Sequence, residues 1–292
     1  QGDAMIQIDY QITLSYLIGG DGADLILNVH AAQTRSQSVS KEKTYINQPL
    51  YVQLYTDPHT ATRLMRLRAE PGVLRIQHQA TVDIRHHQAD PQHINEVPVA
   101  RLPFDTLIYL NPSRYCQSDL FTQMATMLFG EHQRGYVRVQ AVCDWVKSQV
   151  RFTSNSSNLN TSAVDTLRTG QGVCRDFAHL MITLCRALCI PARFTTGTDF
   201  GADPALGPPD FHAYVEVYLE GGWYLFDASG VAIPMGLIRI GTGRDAADVP
   251  FASIYGGFTA EPPLISSHAV VDHEHGFGLP CHVTDALSTD IG

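Results

Sequence analysis

The chain has 292 residues, of which 44% are hydrophobic and 17% are charged, and its formal net charge is -9. This composition is typical of a globular protein with a sizeable core, long enough for one large domain or two ordinary ones. The negative charge argues against a nucleic-acid partner, which needs a basic face, and no apolar run approaches the roughly 20 residues that span a bilayer.

The start of the chain and its cysteines lead to an expectation about the cellular compartment. No basic and apolar leader precedes the first predicted strand, so we expect a cytoplasmic protein with no membrane partner. The six cysteines are dispersed through a chain large enough to fold without disulfide staples, and we expect free thiols. The sequence carries no signal for an oligomeric state.

The first hundred residues are predicted to form an antiparallel β-domain. Apolar residues alternate over 5–16 and again over 73–84, which predicts a half-buried strand in each segment. Between them we expect a turn at 19–22, a strand at 25–29, a mobile polar loop at 31–44 and strands near 50–56 and 62–69. This domain contains no catalytic constellation. We therefore place the β-domain at 1–100 and a catalytic domain at 101–292.

Two histidine-rich stretches raise the question of a metal site. One follows the predicted sheet (His86, His87 and His93), and the other lies in the tail (His268, Asp272, His273, Glu274, His275, Cys281 and His282). Histidine is a common metal ligand, but neither group has a recognised ligand spacing. We predict a solvated linker at the first group, an edge strand at 269–271 in the tail, and neither a metal nor a cofactor.

The pattern changes from strands to helices after residue 113. Helices are predicted over 117–129 and 136–149, and Ser162 with Asp165 resembles a capping box that opens a short helix. The strongest pattern begins at 173, where apolar residues recur at helical spacing until Ile190-Pro191 ends the helix. This pattern predicts a buried helix with Cys174 in its first turn.

Cys174 is the first candidate for a catalytic group. A helix N-terminus stabilises a thiolate, which is the nucleophilic form of cysteine. The first-turn N–H groups have no partner within the helix and can bind an oxyanion. An isolated cysteine is more often structural, so position in the helix alone does not establish a nucleophile.

A predicted hairpin supplies two further candidates. A short strand at 194–196 and a loop at 198–210, which we expect to border a cleft, precede the strand 211–219. His212 starts the polar face of that strand, and Asp227 ends the return strand. If the turn is Glu220-Gly221, Asp227 lies opposite Tyr214 and becomes a diagonal neighbour of His212. Alone, His212 fits a strand-edge histidine on a solvated face, and Asp227 fits a strand-terminating residue near Gly230. Together they suggest a base and the group that orients it.

Together the three residues predict nucleophilic catalysis. His212 would take the proton from Cys174, and Asp227 would fix the imidazole tautomer and stabilise its charge. Attack on an amide or ester carbonyl would form a thioester acyl-enzyme, which water or an amine would resolve.

The same residues resemble the transglutaminase-like superfamily. The resemblance rests on Gly-Val-Cys-Arg-Asp at 172–176, Arg-Ala-Leu-Cys-Ile-Pro-Ala-Arg at 186–193, Phe-His-Ala-Tyr-Val-Glu-Val at 211–217 and the strand 223–227. Cys189 stands where the family usually has glycine. The β-rich first hundred residues and the segment 243–249 are similar to those of bacterial members. The resemblance implies a papain-like α+β fold, a triad of Cys174, His212 and Asp227, and a peptide or protein substrate.

Four readings of the function follow. The leading one is a cysteine hydrolase of peptide or amide bonds. The alternatives are transglutaminase-type acyl transfer to an amine, a catalytically silent binding protein on the same fold, and a metal-binding protein that uses the histidine groups. The intact Cys-His-Asp set argues against a silent protein. Arg244, Asp245 and Asp248 are expected to be structural.

Overall fold

The computed structural model describes residues 4–291, and its first part is built from strands. These strands are β1 (Ala4–His30), β2 (Gln37–Ile46), β3 (Val52–Thr56), β4 (Arg63–Ala69) and β5 (Gly72–Ala89). The α-helices that follow are α1 (Thr122–Phe129), α2 (Tyr136–Gln149), α3 (Ala163–Thr169) and α4 (Cys174–Ala187). Two short strands flank α3, namely β6 (Arg151–Phe152) and β7 (Gln171–Gly172).

In the last hundred residues the regular elements are again mostly strands. They are β8 (Ala192–Thr198), β9 (Phe211–Leu219), β10 (Gly222–Phe226), β11 (Gly241–Gly243), β12 (Ala252–Ala260), β13 (Leu264–Val270), β14 (Phe277–Gly278) and β15 (Ala286–Ile291). Short 3-10 helices occur at Pro91–His93, Val99–Arg101, Phe104–Leu110, Ser118–Leu120, Pro204–Leu206 and Pro234–Gly236. None of the helices within residues 4–291 is long and apolar enough to cross a membrane.

A large, mainly antiparallel sheet organises the molecule and gives it an α+β architecture. Its strands run in the order β11-β8-β9-β10-β15-β5-β1-β4-β3, while β12, β13 and β14 pair with β1 and β2 pairs with β5. One buried cluster lies under β1 to β5, and a second contains the four helices and strands β8 to β10.

The predicted turn at 19–22 is wrong, because β1 runs through it as one strand of 27 residues. The glycines instead bend the strand: Gly22 has a φ of 74°, and the pairing with β12 shifts register between Ile18 and Ala23. The bend lets the first half of β1 pair with β5 and the second half with β4. The two predicted strands are therefore two halves of one strand.

The predicted mobile loop at 31–44 is also wrong, since most of it lies in or next to β2. This strand pairs with β5 on one side, so it lies at an edge and most of its side chains are partly or fully exposed. An edge strand tolerates polar residues on both faces, which removes the apolar alternation that would have revealed it.

The tail contributes two separate sets of strands. The predicted edge strand at 269–271 corresponds to β13, which is longer, ends at Val270 and pairs with β1. The sequence did not predict β15, which inserts between β10 and β5. Strands from beyond residue 250 thus complete the sheet that β1 and β5 begin, while the division at residue 100 stays a prediction.

Helix α4 lies at the centre of the second cluster. It packs against β8 and β9 on one side and against α1, α2 and α3 on the other. From Asp176 to Ala187 every residue of the helix is buried. The apolar stripe predicted from the sequence is thus confirmed, and the helix start is fixed with respect to β9.

Candidate active site

Cys174 is the first residue of α4, and the turn before it is held by Asp176. The Asp176 carboxylate is fully buried, and its Oδ2 accepts a hydrogen bond from the Val173 N–H at 2.8 Å. A Cβ at Gly172 would lie 2.6 Å from the Cβ of Asp176, so only glycine leaves room for this cap. The local sequence therefore fixes where the helix begins and where the Cys174 thiol points.

The Cys174 thiol is half-buried and lines a cleft. Its own N–H lies in the first turn of α4, where no carbonyl of the helix can accept it. The thiol therefore sits beside the positive end of the helix dipole, in a place that a substrate can reach.

His212 lies on β9, between the two other candidates. The ring is buried, with Nε2 3.1 Å from Oδ2 of Asp227, and it interacts electrostatically with the Cys174 thiol, which lines the same cleft. The approach of Nε2 to Asp227 is that of an ion pair rather than of a well-aligned hydrogen bond. Such looseness is common before a substrate binds.

The hairpin register places Asp227 as the sequence predicts. Gly222 pairs with Leu219 and Phe226 with Val215, which confirms the two-residue turn and puts Asp227 just past the end of β10, across from Tyr214. His212 and Asp227 are therefore neighbours on one face of the hairpin, and the structure brings them together with Cys174.

A tight turn fixes the Asp227 carboxylate. Its Oδ1 accepts hydrogen bonds from the Ser229 hydroxyl at 2.6 Å and the Ser229 N–H at 3.1 Å, and its Oδ2 accepts from the Ala232 N–H at 3.1 Å. Sequence reasoning missed Ser229, although Asp followed two residues later by Ser is an Asx-turn signal that could have identified this support.

The pKa shifts of the pair reflect their mutual charge. Burial alone lowers the pKa of His212, but the Asp227 carboxylate and then the Cys174 thiol outweigh it and raise that pKa well above its usual value. Burial raises the pKa of Asp227, while the His212 charge and the Ser229 hydroxyl lower it, with a net fall. The arrangement thus favours an imidazolium paired with a carboxylate.

The cleft in front of Cys174 has a volume of about 410 Å³. One wall forms because β6 pairs with β7 directly before α4, which carries Phe152, Ser154 and Asn155 beside the thiol. Another wall is the segment 199–210, which lies within the loop 198–210 that the sequence predicts to border a cleft. The sequence did not identify its aspartates, Asp199, Asp203 and Asp210, as cleft residues, because a loop without periodicity gives no sign of which side chains turn inward.

The remaining candidates from the sequence lie outside the cleft lining. Arg244 pairs with Asp248 at 2.8 Å, and the buried Asp245 accepts hydrogen bonds from two backbone N–H groups at 2.9 Å. These contacts hold residues 244–248 together and join them to the backbone of Tyr115.

The predicted solvated linker is wrong for His86 and His87, which lie in β5, where His86 is fully buried. His93 and His275 pair with nearby aspartates at the surface. Within residues 4–291 no three potential metal ligands converge.

The fold and site together define an α+β protein in which a central helix presents a cysteine to a His–Asp hairpin. Residues 122–228 match the transglutaminase-like superfamily, and residues 7–105 match the bacterial transglutaminase N-terminal domain. A crystal structure described as a putative cysteine protease from Cytophaga hutchinsonii is 36% identical, covers 97% of each chain and has a TM-score of 0.89. The chain therefore belongs to the transglutaminase-like superfamily.

Curated relatives match a smaller part of the chain. The uncharacterized protein ML0607 of Mycobacterium leprae is 33% identical over 125 residues, or 41% of this chain and 44% of the relative. The uncharacterized protein Rv2569c of Mycobacterium tuberculosis is 32% identical over 110 residues, or 34% of this chain and 35% of the relative. The chain spans less than half the length of these relatives.

Proposed function

We propose that the protein is a cysteine-dependent hydrolase of peptide or amide bonds. The observation that carries this proposal is the buried imidazole of His212, which lines one cleft with Cys174, interacts electrostatically with its thiol and lies 3.1 Å from the Asp227 carboxylate. A nucleophile, a base and an orienting carboxylate in one cleft are the minimum set for acyl transfer through a thioester. A nucleophile at the start of a helix and a base on a following hairpin also fit the papain-like fold that the sequence predicts.

The acylation step uses all three side chains. His212 accepts the thiol proton, and the Cys174 sulfur attacks the carbonyl carbon of the substrate. The carbonyl oxygen then gains negative charge near the first-turn N–H groups of α4, which can stabilise it. The C–N bond breaks as His212 returns its proton to the leaving amine, and a thioester remains on Cys174.

Deacylation repeats the same proton transfers with water. His212 removes a proton from water, the oxygen attacks the thioester carbonyl, and the C–S bond breaks to release the acid and the thiol. Asp227 stays ionised throughout and holds the ring. No cofactor takes part in this scheme, and the substrate class is a peptide, protein or related amide.

Transfer to an amine is the second candidate, supported by the match of residues 122–228 to the transglutaminase-like superfamily. An amine would then take the place of water in deacylation. The two outcomes differ only in what enters the cleft after the first product leaves.

The test is product analysis with a library of peptides and amides, run with and without an added primary amine. Cleaved products alone support hydrolysis, whereas incorporation of the amine supports transfer. Cys174→Ala should abolish both. Cys189→Ala is the matched control because that thiol is exposed and lies outside the cleft lining. Turnover that survives Cys174→Ala would disprove the proposed function.

A further inference from the structure

The cleft that contains Cys174 and His212 is also lined by three carboxylates and by no lysine or arginine. Asp199 directly follows β8, Asp210 directly precedes β9, and Asp203 lies between them on the same wall. Within residues 4–291 none of the three aspartates forms a salt bridge with a basic side chain.

The proposed catalytic residues do not offset this charge. With Asp227 ionised and His212 protonated, the triad carries no net charge while Cys174 is a thiol and a net charge of -1 once it is a thiolate. In neither state does the triad cancel the charge of the three aspartates. A concave site with charge of one sign concentrates ligands of the opposite sign.

Asp199 is the aspartate whose surroundings most favour a bound cation. It is half-buried, and burial raises its pKa because the charged form is partly removed from water. Its N–H donates to the carbonyl of Asp210 at 3.2 Å, so the two ends of the segment 199–210 lie side by side. The contact continues the pairing of β8 with β9, in which Gly197 lies opposite His212, so both aspartates lie two positions from this register pair. A cation bound here would compensate the half-buried carboxylate of Asp199.

The apolar lining limits what the cation can be. Phe152, Leu206 and Phe211 share the cleft with the aspartates. Lysine and arginine side chains combine a long apolar stem with a terminal charge, and they bury the stem against such surfaces. A small inorganic cation would leave this apolar surface unused.

We infer that the substrate carries a lysine or arginine side chain close to the amide bond that is broken, bound by Asp199, Asp203 and Asp210. The inference rests on the proposed function, since it takes the cleft to be the substrate site. It names the substrate class: basic peptides rather than neutral or acidic ones.

The first arm of the test needs no known substrate. Methanethiosulfonate reagents transfer a thioalkyl group to a thiolate and release methanesulfinate, and they exist with trimethylammonium, neutral and sulfonate tails. Rates at Cys174 are measured by peptide mapping and divided by the rates with free cysteine. The trimethylammonium reagent should be at least about tenfold faster than the sulfonate reagent at low salt. Salt near 1 M should shrink the ratio, since the Debye length falls to about 3 Å.

Variants assign the effect to the cleft. Each of Asp199→Asn, Asp203→Asn and Asp210→Asn should lower the ratio, and the triple variant should bring it close to 1. Asp21→Asn is the matched control, because it removes the same charge from an exposed position on β1. An unchanged ratio in the triple variant would overturn the inference.

The second arm uses peptides that differ at one position. Peptides with lysine or arginine on the acyl side or on the amine side of the scissile bond are compared with norleucine and glutamate analogues. Basic peptides should be turned over at least about tenfold faster in kcat/KM, with the preference lost in the triple variant. Equal rates for basic and neutral peptides would refute the inference. A preference for positive charge seen only in an added acceptor amine, and not in the peptide, would also refute it.

The two arms also separate this inference from the proposed function. If Cys174 reacts rapidly but with no charge preference, the nucleophile stands and the inference fails. If Cys174 reacts with every reagent no faster than the buried Cys185, the proposed function fails and the inference falls with it.

Discussion

Replacing Asp227 by asparagine should remove the charge that keeps His212 protonated while leaving the shape of the site nearly unchanged. Nε2 and Oδ2 are 3.1 Å apart, and two unit charges at that distance interact by about 5 kcal/mol if the effective dielectric constant is about 20. This is an upper bound, because burial of the imidazole acts in the opposite direction. Without the carboxylate only burial and the thiol remain, and the pKa of His212 should fall by several units.

The assay is the pH dependence of two quantities in the wild type and in Asp227→Asn. The His212 pKa is followed by NMR of labelled histidine, and the reactivity of Cys174 is followed by alkylation with iodoacetamide. In the wild type the imidazolium should persist well above pH 6.5, the usual value. In the variant the ring should be neutral at pH 7, and kcat/KM should fall by about 10²- to 10⁴-fold, as expected when a base loses its orienting group.

The reasoning fails if Asp227→Asn keeps the His212 pKa of the wild type. It also fails if alkylation and turnover stay within about twofold, because the carboxylate would then contribute neither charge nor orientation. Ser229→Ala serves as a second variant: it removes one hydrogen bond to Asp227 but keeps the charge, and it should cost much less.

Three further predictions concern the support of the site and the stability of the sheet. Gly172→Ala should place a methyl group 2.6 Å from the Cβ of Asp176, so we expect about 1–3 kcal/mol of destabilisation in urea unfolding and a disproportionate loss of Cys174 reactivity; full reactivity would contradict the account of the helix cap. Burial lowers the pKa of His30 to about 4 and of His78 to about 3, so between those values and 6.5 the unfolded chain binds protons that the folded protein does not. The free energy of unfolding should therefore fall as pH drops below about 6.5, and His30 alone should contribute a fall of about 3 kcal/mol at pH 4. If a His78→Gln variant lost stability on acidification as steeply as the wild type, that result would count against this explanation. Arg239 is buried and bridges two carboxylates, so Arg239→Ala should destabilise the fold by about 3–5 kcal/mol in urea unfolding; a loss under about 1 kcal/mol would show that the network is solvated.

Sequence patterns located the elements of the second cluster because there each local signal agrees with the packing. The apolar stripe of α4 matches its burial, and the Glu220-Gly221 turn sets the register of the hairpin. The capping box at Ser162 is present at the start of α3. In such segments periodicity and turn chemistry determine which side chains meet, so Cys174 could be placed in a first turn from the sequence.

Other parts depend on partners that are distant in sequence. Strand β2 has a polar pattern because it lies at an edge, and β15 pairs with β10 and β5, which lie far from it in the sequence. The bend of β1 lies at glycines that also suit a turn. In the site, the inward orientation of Asp199 depends on how the segment 199–210 folds across the cleft, and no spacing rule determines that.

The central claim is that Cys174 forms a thioester with the acyl part of a peptide or amide. The most direct test is rapid acid quench of the protein with a substrate from the library, followed by intact mass measurement and peptide mapping. We predict a mass increase equal to the acyl group, located on Cys174, lost on reaction with hydroxylamine and absent in Cys174→Ala. Substrate turnover in Cys174→Ala, or an acyl group found on any other residue, would contradict the account.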